Sequence, residues 1–144
     1  MRALLLGLVA VGLSGCLEPG GPALLTRDDN PPRVVRTLPG RNELVSKRPD
    51  LQVIFSEAMD PRSVAAGLIL LAPGGGQVPV NIVLPRETPA PEPVEPEVPY
   101  TVHVYPSVPL VGDVRHTLVM TTLLSDTAGN ALPAEVRVDF FTEP

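Results

Sequence analysis

Tryptophan is absent, and 144 residues contain only two tyrosines, three phenylalanines, two histidines and one cysteine. A core made from this chain must therefore be largely aliphatic, and no intrachain disulfide is available to hold it. Basic residues number 11 against 16 acidic ones, for a formal net charge of -5. The ten arginines and single lysine are spread along the chain, so the clustered basic footprint of a phosphate-backbone reader is missing and no nucleic-acid partner is expected. The histidines, His103 and His116, show no His-x-x-x-His or Glu-x-x-His spacing, and there is no Gly-x-Ser-x-Gly elbow. Gly74-Gly75-Gly76 lacks the Lys-Ser/Thr of a phosphate loop and reads as a turn. Catalysis needs a nucleophile or a metal with a base beside it. None is recognisable, so the expectation is a protein that is not an enzyme, with no catalytic residue, metal or cofactor.

What the chain does hold is 19 prolines and 12 glycines, roughly twice the ordinary combined share. Proline breaks the helix ladder, which argues against a helical bundle. At the start, Met1-Arg2 precedes an apolar run from Ala3 to Leu13. As a helix it would reach about 16 Å against a bilayer core of about 30 Å, so it reads as a signal-peptide core and not as a spanning segment. The run closes on Leu13-Ser14-Gly15-Cys16, which resembles a bacterial lipobox and contains the sole cysteine. The resemblance implies cleavage before Cys16, a diacylglyceryl thioether on its sulfur, and acylation of the new N-terminus by a fatty acid such as palmitate. One chain anchors marginally at about 0.8 kcal/mol per buried methylene, whereas two or three hold firmly. Leu17 stands where an Asp would favour retention in the inner membrane of enteric-type bacteria, which points to the outer membrane. The expected location is the cell envelope, with the membrane as a partner through the lipid on Cys16.

Residues 16–30 carry proline, glycine and charge without periodicity and read as a tether, although Ala23-Leu24-Leu25 could dock on the domain instead. Beyond Pro31 the pattern changes to short strands between turn signals. The candidate strands are Arg33 to Thr37, Leu51 to Ser56, Gly67 to Leu71, Gln77 to Leu84, Tyr100 to Tyr105, Arg115 to Thr121 and Glu135 to Phe141. Alternation places Leu51, Val53 and Phe55 on one face, Val78, Val80, Ile82 and Leu84 on another, with Pro79 marking an edge. His116, Leu118 and Met120 share a face, as do Val136, Val138 and Phe140. Only Asp60 to Val64 looks helical, for one turn at most. The fold class is all-β: an immunoglobulin-like antiparallel β-sandwich of about seven strands over 31–144, after a cleaved signal peptide (1–15) and the tether.

Three segments carry a second resemblance. Pro32 to Pro39, Val53-Ile54-Phe55-Ser56-Glu57-Ala58-Met59-Asp60, and Asp126-Thr127-Ala128-Gly129-Asn130-Ala131-Leu132 together resemble an SbsA-type bacterial Ig-like domain. Such domains are generally scaffolding units, which implies a non-catalytic interaction or spacer module. The residues themselves read as structural: Gly129 and Asn130 tolerate positive φ, the Asp126 carboxylate accepts backbone N–H groups, and Ser56, Glu57 and Asp60 cap the turn after their strand. His116 falls where the family often has Tyr and reads as a hydrogen-bonded core residue.

Asp60, Asp126 and Asn130 are also candidates for weak calcium binding, because acidic turns supply hard oxygen ligands. A glycan ligand is the other alternative, for which Tyr100 and Tyr105 are the available aromatics. Copper carriers of the CopC type share a Phe-Ser-Glu-like strand, but their histidines are replaced here by Asn30-Pro31-Pro32 and Asp126 to Gly129. Residues 85–99 alternate proline with acid and form an expected extended loop, either a passive spacer or a contact surface for an envelope protein partner.

Overall fold

The computed structural model describes residues 28–86 and 99–144. The signal peptide, Cys16, nearly all of the tether and most of the acidic proline-rich loop lie outside the described residues.

Strict alternation decides which side of each strand faces inward. In β3 (Leu51–Phe55), Leu51, Val53 and Phe55 are buried while Gln52 and Ile54 are not. The same phase recurs in β7 (Tyr100–Pro106), through Val102 and Val104, and in β9 (Val136–Thr142), through Val138 and Phe140. β8 (Arg115–Met120) buries His116, Leu118 and Met120 on that phase, and Val119 as well. β1 (Val34–Leu38) and β6 (Val80–Val83) flank β3 and β7 in a four-stranded sheet of order β1-β3-β7-β6. The second sheet has the order β2-β9-β8-β4-β5, adding β2 (Leu44–Val45), β4 (Leu68–Leu71) and β5 (Gln77–Val78).

The inward faces of both sheets meet in one core of Leu, Val, Met and two phenylalanines, Phe55 and Phe140. Removing each large side chain from water is worth about 1.5–3 kcal/mol, so this aliphatic core is the main source of stability in a domain without a cross-link.

Four features differ from the sequence reading. Gln77 to Leu84 is two strands: Val78 pairs with Leu70 in one sheet, and Val80 pairs with Pro106 in the other. Pro79 sits where the chain crosses between them. Val78 is buried and Val80, Ile82 and Leu84 are half-buried, so the alternation is continuous even though the sheet changes. β2 has only two residues, too few to show a period, and it runs parallel to β9 in an otherwise antiparallel structure. These short pieces bring the number of strands among the described residues to nine. The helix, α1 (Pro61–Gly67), has seven residues and not one turn. Asp60 caps its start with Pro61 in the first turn, and burial of Val64 and Gly67 against the core carries it onward.

Gly67 is the last residue of α1, and there is no room for a side chain there. A Cβ would lie 2.7 Å from Cγ of Leu124 and 3.0 Å from its backbone nitrogen, while the Gly67 carbonyl accepts the Thr121 N–H at 2.9 Å. Leu124 is fully buried and cannot retreat. Gly67→Ala is expected to cost about 1–3 kcal/mol by overpacking, read as a lowered midpoint in thermal melts.

Candidate functional site

The two acidic turns singled out from sequence come together at one end of the sandwich. Oδ1 of Asp60 accepts the Arg62 N–H at 2.9 Å, and its own N–H donates to the Ser125 carbonyl at 2.9 Å. Ser63 bridges the same two turns: its hydroxyl lies 2.8 Å from the Asp60 carbonyl and 3.0 Å from that of Ser125, and it accepts the Ser125 N–H at 3.0 Å. Met59 and Asp126 form an isolated antiparallel bridge, and the Thr127 N–H reaches the Ala58 carbonyl at 3.3 Å.

Asp126 is the organising group of this end. It is only 2% exposed, and both of its oxygens are engaged. Oδ1 accepts the Asn130 backbone N–H at 2.8 Å, and Oδ2 accepts the Asn130 side-chain amide at 2.8 Å. Burial alone would raise the Asp126 pKa. Hydrogen bonds from the Asn130 side chain and from the backbone at Asn130, Ala128 and Gly129 outweigh it and hold the carboxyl below its ordinary value. Gly129 takes positive φ (92°), as the turn requires, whereas Asn130 does not. Asn130 instead serves as a donor. Its Nδ2 also reaches the Asp28 carbonyl at 2.8 Å and the Asn30 carbonyl at 3.2 Å, which fastens the segment leading into β1.

Ser56 completes that fastening rather than capping the turn after β3. Its hydroxyl accepts the Arg33 N–H at 2.9 Å, and its N–H donates to the Arg33 carbonyl at 2.9 Å. Glu57 accepts from the Ser56 hydroxyl at 3.4 Å. Asp60 Oδ1, both Asp126 carboxylate oxygens and Asn130 Nδ2 thus face protein partners. Among the described residues no group of three or more His, Cys, Asp or Glu side chains is placed to hold a metal ion.

A different polar group, not singled out from sequence, lies on the outer face of the four-stranded sheet. Asp50 takes the His103 Nδ1 at 2.9 Å and Nε2 of Gln52 at 3.1 Å. Tyr105 stacks on His103 with ring centroids 6.1 Å apart and planes 9° apart. Desolvation, then the charge and hydrogen bonding of Asp50, push the Tyr105 phenol up, so it stays protonated near neutrality. Tyr100 lies at the opposite end of β7, half-buried, with its hydroxyl 3.3 Å from the Met59 carbonyl. The two tyrosines therefore do not form a common platform.

The family model for the bacterial Ig-like domain matches residues 28–142. The chain belongs to that family. Its match begins at Asp28, where the Asn130 contact begins. Among solved structures, the S-layer protein rSbsC has a TM-score of 0.51 at 16% identity, over 78% of this chain and 14% of that one. L,D-transpeptidase 3 from Mycobacterium tuberculosis, in complex with a faropenem-derived adduct, gives 0.42 at 16% identity, over 77% of this chain and 37% of that one. This chain thus spans a small part of either protein, and at such identity the S-layer likeness concerns the fold. No curated protein matches.

In this bacterial Ig-like domain His116 is buried in the core and stacked on Phe140, with ring centroids 5.8 Å apart. Its Nδ1 has no hydrogen-bond partner among the described residues. Desolvation lowers its pKa, against an opposing hydrogen bond with the Val114 backbone. A folded-state pKa below the unfolded value of about 6.5 leaves the ring neutral in both states above that pH. As pH falls below it the unfolded chain binds the proton first, so stability drops until the folded-state pKa is passed. His116→Phe is expected to remove this decline; melting midpoints followed from neutral pH downward would be flatter for the variant than for the wild type.

Proposed function

We propose that this chain is a lipid-anchored cell-envelope protein whose Ig-like domain acts as a non-catalytic interaction or spacer module. The observation that carries the anchor is Leu13-Ser14-Gly15-Cys16 at the end of a short apolar run, with the cysteine unique in the sequence. Residues 1–15 are the signal peptide, 16–30 the lipidated cysteine and tether, and 31–144 the domain. Asn130 and Ser56 support a fixed boundary, because they grip Asp28, Asn30 and Arg33 where the tether meets the first strand.

The non-catalytic reading is supported by family membership and by the side chains at the Asp60 and Asp126 turns, whose donors and acceptors serve the fold. The location follows from the anchor and is probed as outer membrane against inner. No helix among the described residues is long and apolar enough to cross a membrane. The acidic residues 85–99 are the proposed contact segment for an envelope protein.

Fractionation of cells tests this reading. Wild-type protein is expected in the membrane fraction, and Cys16→Ser is expected to change its mass or its location by removing the lipid. A wild-type chain that fractionates as soluble, with no change on Cys16→Ser, contradicts the anchor. Crosslinking in intact cells then addresses the module: a reproducible envelope partner lost on deleting 86–98 supports an adaptor, and no partner for a membrane-held chain supports a spacer.

A further inference from the structure

Among the described residues the two sheets present four edges, and three of them are blunted. β2 and β5 are two residues long, and β1 carries Arg36 and a register shift between Val34 and Arg36. Short strands, charges and bulges are the ordinary defences of a sheet edge against another strand. β6 has none of these. Val80-Asn81-Ile82-Val83 is uncharged, pairs with β7 in unbroken register, and leaves Val83 51% exposed. Pro79 and Pro85 bracket it and limit any added pairing to the residues between.

The hydrogen-bond phase of β6 is fixed by one contact. The Ser107 N–H donates to the Pro79 carbonyl at 2.9 Å, and antiparallel ladders alternate. Residues 79, 81 and 83 therefore turn their backbone groups toward β7, and Val80, Ile82 and Leu84 turn theirs toward the open side. Pro106, which has no N–H, stands opposite Val80, where β7 needs none. Beside this edge runs a groove of about 490 Å³ between β6 and α1, lined by Ala65, Leu68, Val80 and Ile82 among others, with every lining side chain uncharged.

We propose that β6 pairs antiparallel with β6 of a second copy of this chain, about a two-fold axis through Ile82. In that register Ile82 meets Ile82, Val80 meets Leu84, and Asn81 meets Val83 of the second copy. Each outward-turned amide and carbonyl then finds a partner, since 80, 82 and 84 are the residues that face out. The half-buried side chains of Val80, Ile82 and Leu84 meet their counterparts over the groove, and no charge opposes its like. Two four-stranded sheets become one of eight strands. The interface is isologous, the commonest closed form of homo-oligomer. It does not depend on the lipid anchor.

The test uses the full chain purified from whichever fraction holds it. Light scattering is expected to give twice the monomer mass at high concentration, with dissociation on dilution. Ile82→Pro removes an N–H that the β6–β7 ladder does not use, and proline is tolerated on such an edge, so this variant is expected to be folded and monomeric. Should it fail to fold, a second variant decides. Residues 81 and 83 of opposing copies would form a non-hydrogen-bonded pair with Cα atoms about 4.5 Å apart, within disulfide reach. Asn81→Cys with Val83→Cys in a Cys16→Ser chain is therefore expected to give a covalent dimer on mild oxidation. A monomer at every concentration overturns the proposal. So does a dimer that survives in folded Ile82→Pro, or one whose paired cysteines do not oxidise, because it would use another surface.

Discussion

Phe140→Ala should lower stability by about 3–5 kcal/mol, the cost of an aromatic truncation in a core that cannot collapse around it. Phe140 has no exposed surface, lies on the inner face of β9, and stacks on His116. It is one of three phenylalanines in the whole sequence, so the core has few side chains as large to fill the space. For a domain near 100 residues the loss corresponds to a fall of roughly 15–30 °C in melting temperature. Phe141→Ala supplies the comparison. That side chain is 39% exposed on the outer face, and its removal should cost much less. Equal effects in chemical or thermal denaturation would mean that β9 is out of phase with the alternation described.

Asp126→Ala should be nearly as damaging, at about 3 kcal/mol, because hydrogen bonds to a charged group contribute about 1.5–3 kcal/mol and the abandoned donors remain in a closed turn. It releases both the Asn130 backbone N–H and the side-chain amide that holds Asp28 and Asn30. The segment before β1 should consequently become accessible, and trypsin cleavage after Arg33 should accelerate beyond what the lower global stability explains. Asp60→Ala, which removes a helix cap, should cost about 1 kcal/mol. The acid limb offers an independent check. With its folded-state pKa below the unfolded value of about 3.9, Asp126 stabilises fully above that pH, and the contribution is lost as pH falls through the folded-state pKa. The two contributions set in at different pH, His116 below about 6.5 and Asp126 below about 4. Asp126→Ala should melt with a shallower slope than wild type only in the lower window.

Much of the sandwich could be read from residues alone because both sheets have one wet and one dry face. Leu51, Val53 and Phe55, or Val136, Val138 and Phe140, announce their strand by period two, and tertiary packing does not contradict it. Two-residue pieces have no period. Leu44–Val45 becomes a strand only through β9, distant in sequence, whereas Gln77–Val78 pairs with β4 across the local Gly74-Gly75-Gly76 turn. Pro79 marked an edge correctly, but alternation continues through a change of sheet, so the division there was hidden. α1 extends past its cap because Val64 and Gly67 find the core, a tertiary gain that a count of helix formers misses. The Asp126 turn was recognisable from Asp-x-Ala-Gly-Asn, while the reach of Asn130 to Asp28 spans the length of the domain in sequence and carries no local mark. Asp50, His103 and Tyr105 were equally hidden. They meet because β3 and β7 pair with Gln52 opposite His103, a register that only the assembled sheet specifies.

The central claim, a domain displayed from the membrane by lipid on its only cysteine, is tested most directly by the intact mass of the protein recovered from cells. The predicted result is a chain that begins at Cys16, lacks residues 1–15 and carries the added mass of a diacylglyceryl group and an N-terminal acyl chain, with that processing abolished by Cys16→Ser. A wild-type chain whose mass corresponds to unmodified Cys16, with or without the leading residues, would contradict it.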